Sequence, residues 1–156
     1  MDPFRDRLGG VNGAWSKPRS PLYQRRARWS SPGSVVFLHT IGSVARISEY
    51  EFGHVVVGGE RHSRDLIVLP GRVVPDWWRR DGHLLVLDDL DEVLDELPAR
   101  LIVGCGAHGR LRPHPSVIEA LAERGVEVEA VPTDEAVRRY GRYDPARTAA
   151  ALHLTC

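Results

Sequence analysis

Cysteine is nearly missing from the chain. Cys105 and Cys156 are the two among 156 residues, too few for a disulfide framework, so a reducing compartment is the expected setting. Long apolar runs are missing as well: none approaches the roughly 20 residues of a membrane-spanning helix. No charged-then-apolar leader opens the sequence, which speaks against a secretory signal. The Arg- and Ser-bearing start has some transit-peptide character, but Asp2 and Asp6 run against it, and a cytoplasmic protein without membrane partners is expected. Net charge is the third absence, with 21 basic side chains against 21 acidic ones.

That balance conceals a polarity. Up to Arg46 the charges are mostly basic (Arg5, Arg7, Lys17, Arg19, Arg25, Arg26, Arg28, Arg46), whereas later runs such as Asp88-Asp89-Leu90-Asp91-Glu92 are acidic. A basic tail on an acidic globule follows, and the globule itself is not expected to bind nucleic acid; only the tail offers that chemistry. The 42% hydrophobic and 27% charged content suits one globular domain. Gly9-Gly10, Pro18, Pro21 and Ser30-Ser31-Pro32-Gly33 give the start loop chemistry. Residues 1–46 are therefore expected to form a disordered extension and 47–156 the domain. Trp15, Tyr23 and Trp29 are apolar exceptions within the extension, and Val35-Val36-Phe37-Leu38 offers a short extra strand.

From Ile47 onward the pattern becomes regular. Glu51 to Val57, the Gly58-Gly59 pair and Glu60-Arg61-His62 predict a β-hairpin, because two glycines supply the positive φ of a tight turn. Asp65 to Leu69 predicts a strand stopped by Pro70-Gly71, the stretch from Val73 to Arg80 is irregular, and His83 to Val86 is extended. Leu90, Val93, Leu94 and Leu97 share one helical face, with Asp89 and Glu92 as a capping-box variant and Pro98 as the stop. Leu101-Ile102-Val103 predicts a buried strand running into the turn Gly104-Cys105-Gly106-Ala107-His108-Gly109. A second helix is capped by Ser116 and closed by Gly125, Val126 to Val131 alternates as a strand with one wet face, Thr133 caps a third helix, and Thr148 to Thr155 closes the chain as a strand.

The strand–helix–strand unit from Leu101 to Val131 implies parallel strands joined by a right-handed crossover. Ligands of such sheets gather beyond the carboxyl ends of the strands. That rim would hold Gly104, Cys105, Gly106, Pro132 and Thr133, with the amides of the helix starting at Thr133 as donors for a small anion. His153 joins them from the last strand.

Several landmarks fall in a recognisable order: Phe52-Gly53, Asp65 opening a strand, Trp78 with His83, Gly104-Cys105-Gly106, Thr133-Asp134-Glu135-Ala136-Val137 with Tyr140, and Leu152-His153-Leu154-Thr155-Cys156. Over residues 47–156 this set resembles the MTH nine-three-eight-like domain family. The resemblance implies a three-layer α/β fold, with a central mixed, mostly parallel sheet and an antiparallel β-hairpin packed beside it. It implies no established enzyme activity; members act, where anything is known, in assembly and regulation through protein contacts. The chain departs from the family in carrying Cys105 where threonine is frequent and Gly141 where asparagine follows the tyrosine.

Other motifs carry competing readings. Gly104 to Gly109 formally spells G-x-G-x-x-G with Glu127 or Glu129 downstream, but Pro113 and Pro115 hold the next helix away from the last glycine, so no dinucleotide or other cofactor is expected. Cys105-x-x-His108 and His153-x-x-Cys156 look like half-sites for zinc; positions three apart on a strand face opposite ways, so no metal is expected. Cys105 with His153 is the nucleophile pair of an alternative enzyme reading, and lacks an orienting third group in the sequence. Asp65 and His83 are an alternative acid–base pair. Trp77-Trp78-Arg79-Arg80 is the expected contact patch for a protein partner, since Trp and Arg dominate interface energetics. The reading favoured by the sequence is a non-enzymatic domain that binds a partner protein through Trp77, Trp78 and Arg79, or a small anion at Gly104, Cys105, Gly106, Thr133 and His153.

Overall fold

A computed structural model describes residues 45–156. The expectations for the basic tail, Trp15, Tyr23, Trp29 and the Val35–Leu38 strand lie outside the described residues. Among the described residues the chain opens with three antiparallel strands, β1 (Ile47–Glu51), β2 (His54–Val57) and β3 (Glu60–His62). Gly58 and Gly59 join β2 to β3 with φ of +58° and +86°, the two positive values that a two-residue hairpin matched to strand twist requires. Val55 and Val57 turn inward from β2 and are buried.

A five-stranded mixed sheet forms the middle of the fold. It comprises β4 (Leu66–Val68), β5 (Val73–Val74), β7 (Arg100–Cys105), β9 (Glu127–Val131) and β10 (Thr148–His153), in the order β5-β4-β10-β7-β9. A short parallel pair, β6 (Leu84–Leu85) with β8 (Arg112–Pro113), lies outside that sheet. β10 pairs parallel with β7, and β7 with β9; β10 pairs antiparallel with β4, and β4 with β5. The parallel unit is thus present, but half of the pairings in the large sheet are antiparallel, because β4 enters it against the direction of the crossover strands. β5, expected to be irregular, pairs with β4 across the bend at Pro70-Gly71, where Leu69 N donates to Arg72 O at 2.8 Å.

Both faces of this sheet are apolar. Ile67, Leu101, Val103, Ala149 and Ala151 join one core cluster; Leu66, Val68, Ile102, Ala150 and Leu152 join another. This alternation is the period-2 signature of strands covered on both sides. Helix α1 (Pro115–Glu123) contributes Val117 and Leu121 to the first cluster, and helix α2 (Thr133–Tyr140) contributes Ala136 and Tyr140 to the second. The crossover from β7 to β9 and the return from β9 to β10 run in opposite directions along the sheet. The two helices join different core clusters.

Local chemistry explains where the elements differ from expectation. His114 caps α1 by accepting from Ser116 N, and Pro115 occupies the first helical position, where its missing N–H costs nothing. The helix ends in a Schellman arrangement: Gly125 N donates to Ala122 O and Val126 N to Leu121 O, with Gly125 at φ +77°. α2 is preceded by Pro132, so Thr133 is its first residue rather than its cap. The helix expected from Asp89 to Leu97 is instead two 3-10 turns, Leu87–Leu90 and Leu94–Glu96. Leu90 and Val93 still reach the core, but the backbone bonds there span three residues, as in Val93 N to Leu90 O. Aspartates are poor helix formers, and Asp89 spends its carboxylate on Val86 N and Arg80 N. The face of β9 expected to be wet is so at Glu127, which is exposed, whereas Glu129 is half-buried against Arg139 and Tyr143.

Candidate functional site

The glycine turn and the start of α2 do meet. Gly106 N donates to Thr133 Oγ1 at 2.8 Å, Thr133 N donates to Gly106 O at 3.1 Å, and Thr133 Oγ1 donates to His153 O at 2.6 Å. The threonine hydroxyl thus ties three chain segments together instead of capping its helix. This corner is packed. A Cβ at Gly106, which has φ +91°, would lie 2.3 Å from Thr155 O, and one at Gly104 would lie 3.0 Å from Thr133 Oγ1. The amides beyond the turn are also engaged, with Ala107 N donating to Thr155 O and His108 N to Cys156 O. Asp134 and Glu135 occupy the first turn of α2, so negative charge already sits at that tip.

Cys105 stands beside His153 in the parallel register of β7 and β10. Its thiol is 4% exposed and donates to Val103 O, and burial pushes its pKa up. A thiol held protonated in this way is a weak nucleophile. α1 opens only at Pro115, beyond β8, so no helix tip follows Gly109 as a dinucleotide fingerprint needs. The metal-capable group among the described residues, Glu49, Glu51 and His54 on the hairpin, contains none of the cysteines or histidines of the zinc-like half-sites.

A polar constellation that the sequence did not join lies next to this corner. Asp65, just before β4, accepts from Arg79 Nη2 at 2.7 Å, from His153 Nδ1 at 2.7 Å and from Leu154 N at 2.9 Å. The three side chains come from positions far apart in sequence, which is why spacing could not find them. Asp65 had suggested His83 as a partner; His83 N instead donates to Asp81 Oδ1. Burial alone would raise the Asp65 pKa, but the donors from His153, Leu154 and Arg79 outweigh it and hold the carboxyl below the ordinary aspartate range. Because Asp65 only accepts, His153 must carry its proton on Nδ1, and the 3.1 Å approach of Arg79 Nη2 to Nδ1 is a meeting of two donors on one carboxylate oxygen.

The segment carrying Arg79 is divided by direction. Trp77 is buried; its indole Nε1 donates to Asp89 O at 2.8 Å, its backbone N donates to Asp65 O, and the Arg79 guanidinium lies 4.5 Å from its ring centroid. Trp78 is 75% exposed. Alternation in an extended segment accounts for the split, and Asp76 at φ +53° sets the angle at which the segment leaves Pro75. Of the contact patch expected from sequence, Trp77 and Arg79 therefore face inward, and Trp78 with Arg80 faces out.

Trp78 borders a groove of about 370 Å³ that also involves Asp76, Asp88, Asp89, Asp91 and Glu92. Among the described residues Arg80 is its basic lining residue, and it reaches Asp88 at 3.5 Å. The groove is acidic and rimmed by an unshielded indole.

The family model described as protein of unknown function (DUF498/DUF598) matches residues 47–153. The solved structure titled MT938 is 31% identical, with 72% of this chain and 99% of that one covered and a TM-score of 0.56. The conserved hypothetical protein PH1505 from Pyrococcus horikoshii is 28% identical over 71% of this chain and 99% of its own, with a TM-score of 0.58. A Bordetella pertussis protein solved in solution and described as a Mth938-like domain shares the fold at 22% identity and a TM-score of 0.55, with coverage of 70% and 85%. The family-model match over residues 47–153 and the likeness to MT938 and to the Mth938-like domain make the chain a member of the DUF498/DUF598 family, an Mth938-like domain of unknown function.

Proposed function

We propose that the domain is a cytoplasmic binding module that does no chemistry of its own and docks a basic segment of a partner protein in the Trp78 groove, in an assembly or regulatory role. The observation that carries this reading is Trp78, a large aromatic left 75% exposed at the edge of an acidic groove. An arginine or lysine of the partner would stack on the indole and pair with Asp88 and Asp91. The sheet would serve as the middle of a three-layer frame that holds this face rigid. The buried, protonated thiol of Cys105 favours binding over catalysis at the neighbouring corner.

The test is capture of cross-linked partners from the native cell by wild type and by Trp78→Ala, together with titration of an arginine-rich peptide. The variant is expected to bind at least about tenfold more weakly, the scale of an aromatic hot spot. Binding should also weaken steeply with salt. Unchanged capture and peptide affinity in Trp78→Ala and in the Asp88→Asn, Asp91→Asn pair would overturn the reading. Loss of the biological phenotype on Cys105→Ser would favour the enzyme alternative.

A further inference from the structure

The outer face of the β1–β2 hairpin carries a second cluster of polar side chains. Glu51 stands opposite His54, and Glu49 opposite Val56, in the antiparallel register. Positions two apart on a strand share a face, so Glu49, Glu51 and His54 lie together on one side. Val55 and Val57 occupy the other side and are buried. Gly53, at φ +84°, makes the turn between the strands, and its N–H donates to Leu154 O at 2.8 Å. A pinned hairpin therefore presents the three side chains.

His54 Nε2 lies 3.7 Å from a Glu51 carboxylate oxygen and 4.0 Å from one of Glu49. Both separations are too long for a hydrogen bond. All three ligand atoms nevertheless lie within 4.8 Å of one another. A divalent ion held at about 2.1 Å by nitrogen and oxygen sets tetrahedral ligand atoms about 3.4 Å apart. The observed nitrogen–oxygen separations are only slightly wider. Small rotations of the two carboxylates, 58% and 69% exposed, close them around a ring that is 12% exposed. Among the described residues neither Glu49 nor Glu51 pairs with an arginine or lysine, whereas Glu129 and Glu135 both pair with Arg139. The hairpin thus gathers two carboxylates around one imidazole without a fixed cation to neutralise them.

We propose that Glu49, Glu51 and His54 form a binding site for a first-row divalent metal ion of the zinc kind. One imidazole nitrogen with two carboxylate oxygens suits zinc and its neighbours; magnesium and calcium take oxygen ligands. The ion arrives from solvent on the carboxylate side, and any proton on Nε2 leaves to water as the nitrogen binds. Three protein donors leave a fourth position to a water molecule. Because the donors come from facing strands, the ion clamps β1 to β2. The site is separate from the Trp78 groove and does not rest on the partner reading.

The test uses the full chain, isotope-labelled, and follows the ring-nitrogen resonances of His54 during titration with zinc chloride and, separately, magnesium chloride. Zinc is expected to move them saturably, with magnesium at least about tenfold weaker. The Glu49→Gln, Glu51→Gln double variant, altered at exposed positions alone, should weaken zinc binding at His54 by at least about tenfold. Absence of a saturable shift at His54, or zinc shifts confined to other histidines, would overturn the proposal. An equal response to magnesium would overturn it too, as would unchanged zinc affinity in the double variant. The wild-type titrations decide the matter even if the double variant does not fold.

Discussion

Gly106 and Gly58 both hold positive φ, yet substitution should separate them sharply. At Gly58 a Cβ meets nothing within 4 Å, so Gly58→Ala loses only the left-handed preference, about 1 kcal/mol. At Gly106 the same methyl lies 2.3 Å from the backbone oxygen of Thr155, and backbone cannot rotate aside. Gly106→Ala is expected to cost roughly 3 kcal/mol in chemical denaturation, and equal losses at the two positions would refute the close approach. Asp65 gives a second expectation at this scale. Its folded pKa is depressed, so its stabilisation is complete above the ordinary aspartate value of 3.8 and fades as pH falls through the lower folded value. Asp65→Asn should destabilise by on the order of 3 kcal/mol at neutral pH, because Arg79 loses its anion. Denaturation curves across acid pH should show that gap closing below the ordinary aspartate range; a constant gap would remove the linkage.

The stretch between β6 and β7 shows what spacing can and cannot tell. Leu90, Val93, Leu94 and Leu97 all pack inward or against the core, as their spacing implies. Their helical geometry was not legible, because it depends on Asp89 bonding Val86 N and Arg80 N, and the latter belongs to a segment fixed by tertiary contacts. Asp89→Ala is accordingly expected to cost about 1–2 kcal/mol. It should also disturb the near-ultraviolet signal of Trp77, whose indole is held by Asp89 O. A variant that unfolds at the wild-type midpoint with an unaltered aromatic signal would contradict the bracing role.

Across the molecule, the last strand is the central one. β10 lies between β4 and β7, is buried along its whole length, and presents Ala149, Ala150 and Ala151 to the two core clusters. The sheet therefore cannot close until nearly the whole domain has been collected, a high contact-order arrangement that slows folding. A chain ending before Thr148 should lack a cooperative unfolding transition, because β4 and β7 would each lose a buried neighbour along a full edge. A cooperative transition in that truncated chain, followed by circular dichroism, would mean that the sheet has another way to close.

What the sequence determined alone was local: hairpin glycines, apolar alternation, the β7–α1–β9 unit and the closure of α1 at Gly125, whereas the N-terminal cap expected at Ser116 falls to His114. Each is fixed by residues within a few positions of one another, through φ restriction or the period of side-chain direction. Which indole faces out and which side chains Asp65 holds in the interior were decided by the tertiary structure. Those contacts join residues 14 and 88 positions apart, and such pairings arise only when β10 enters the sheet beside β4 and brings His153 to Asp65.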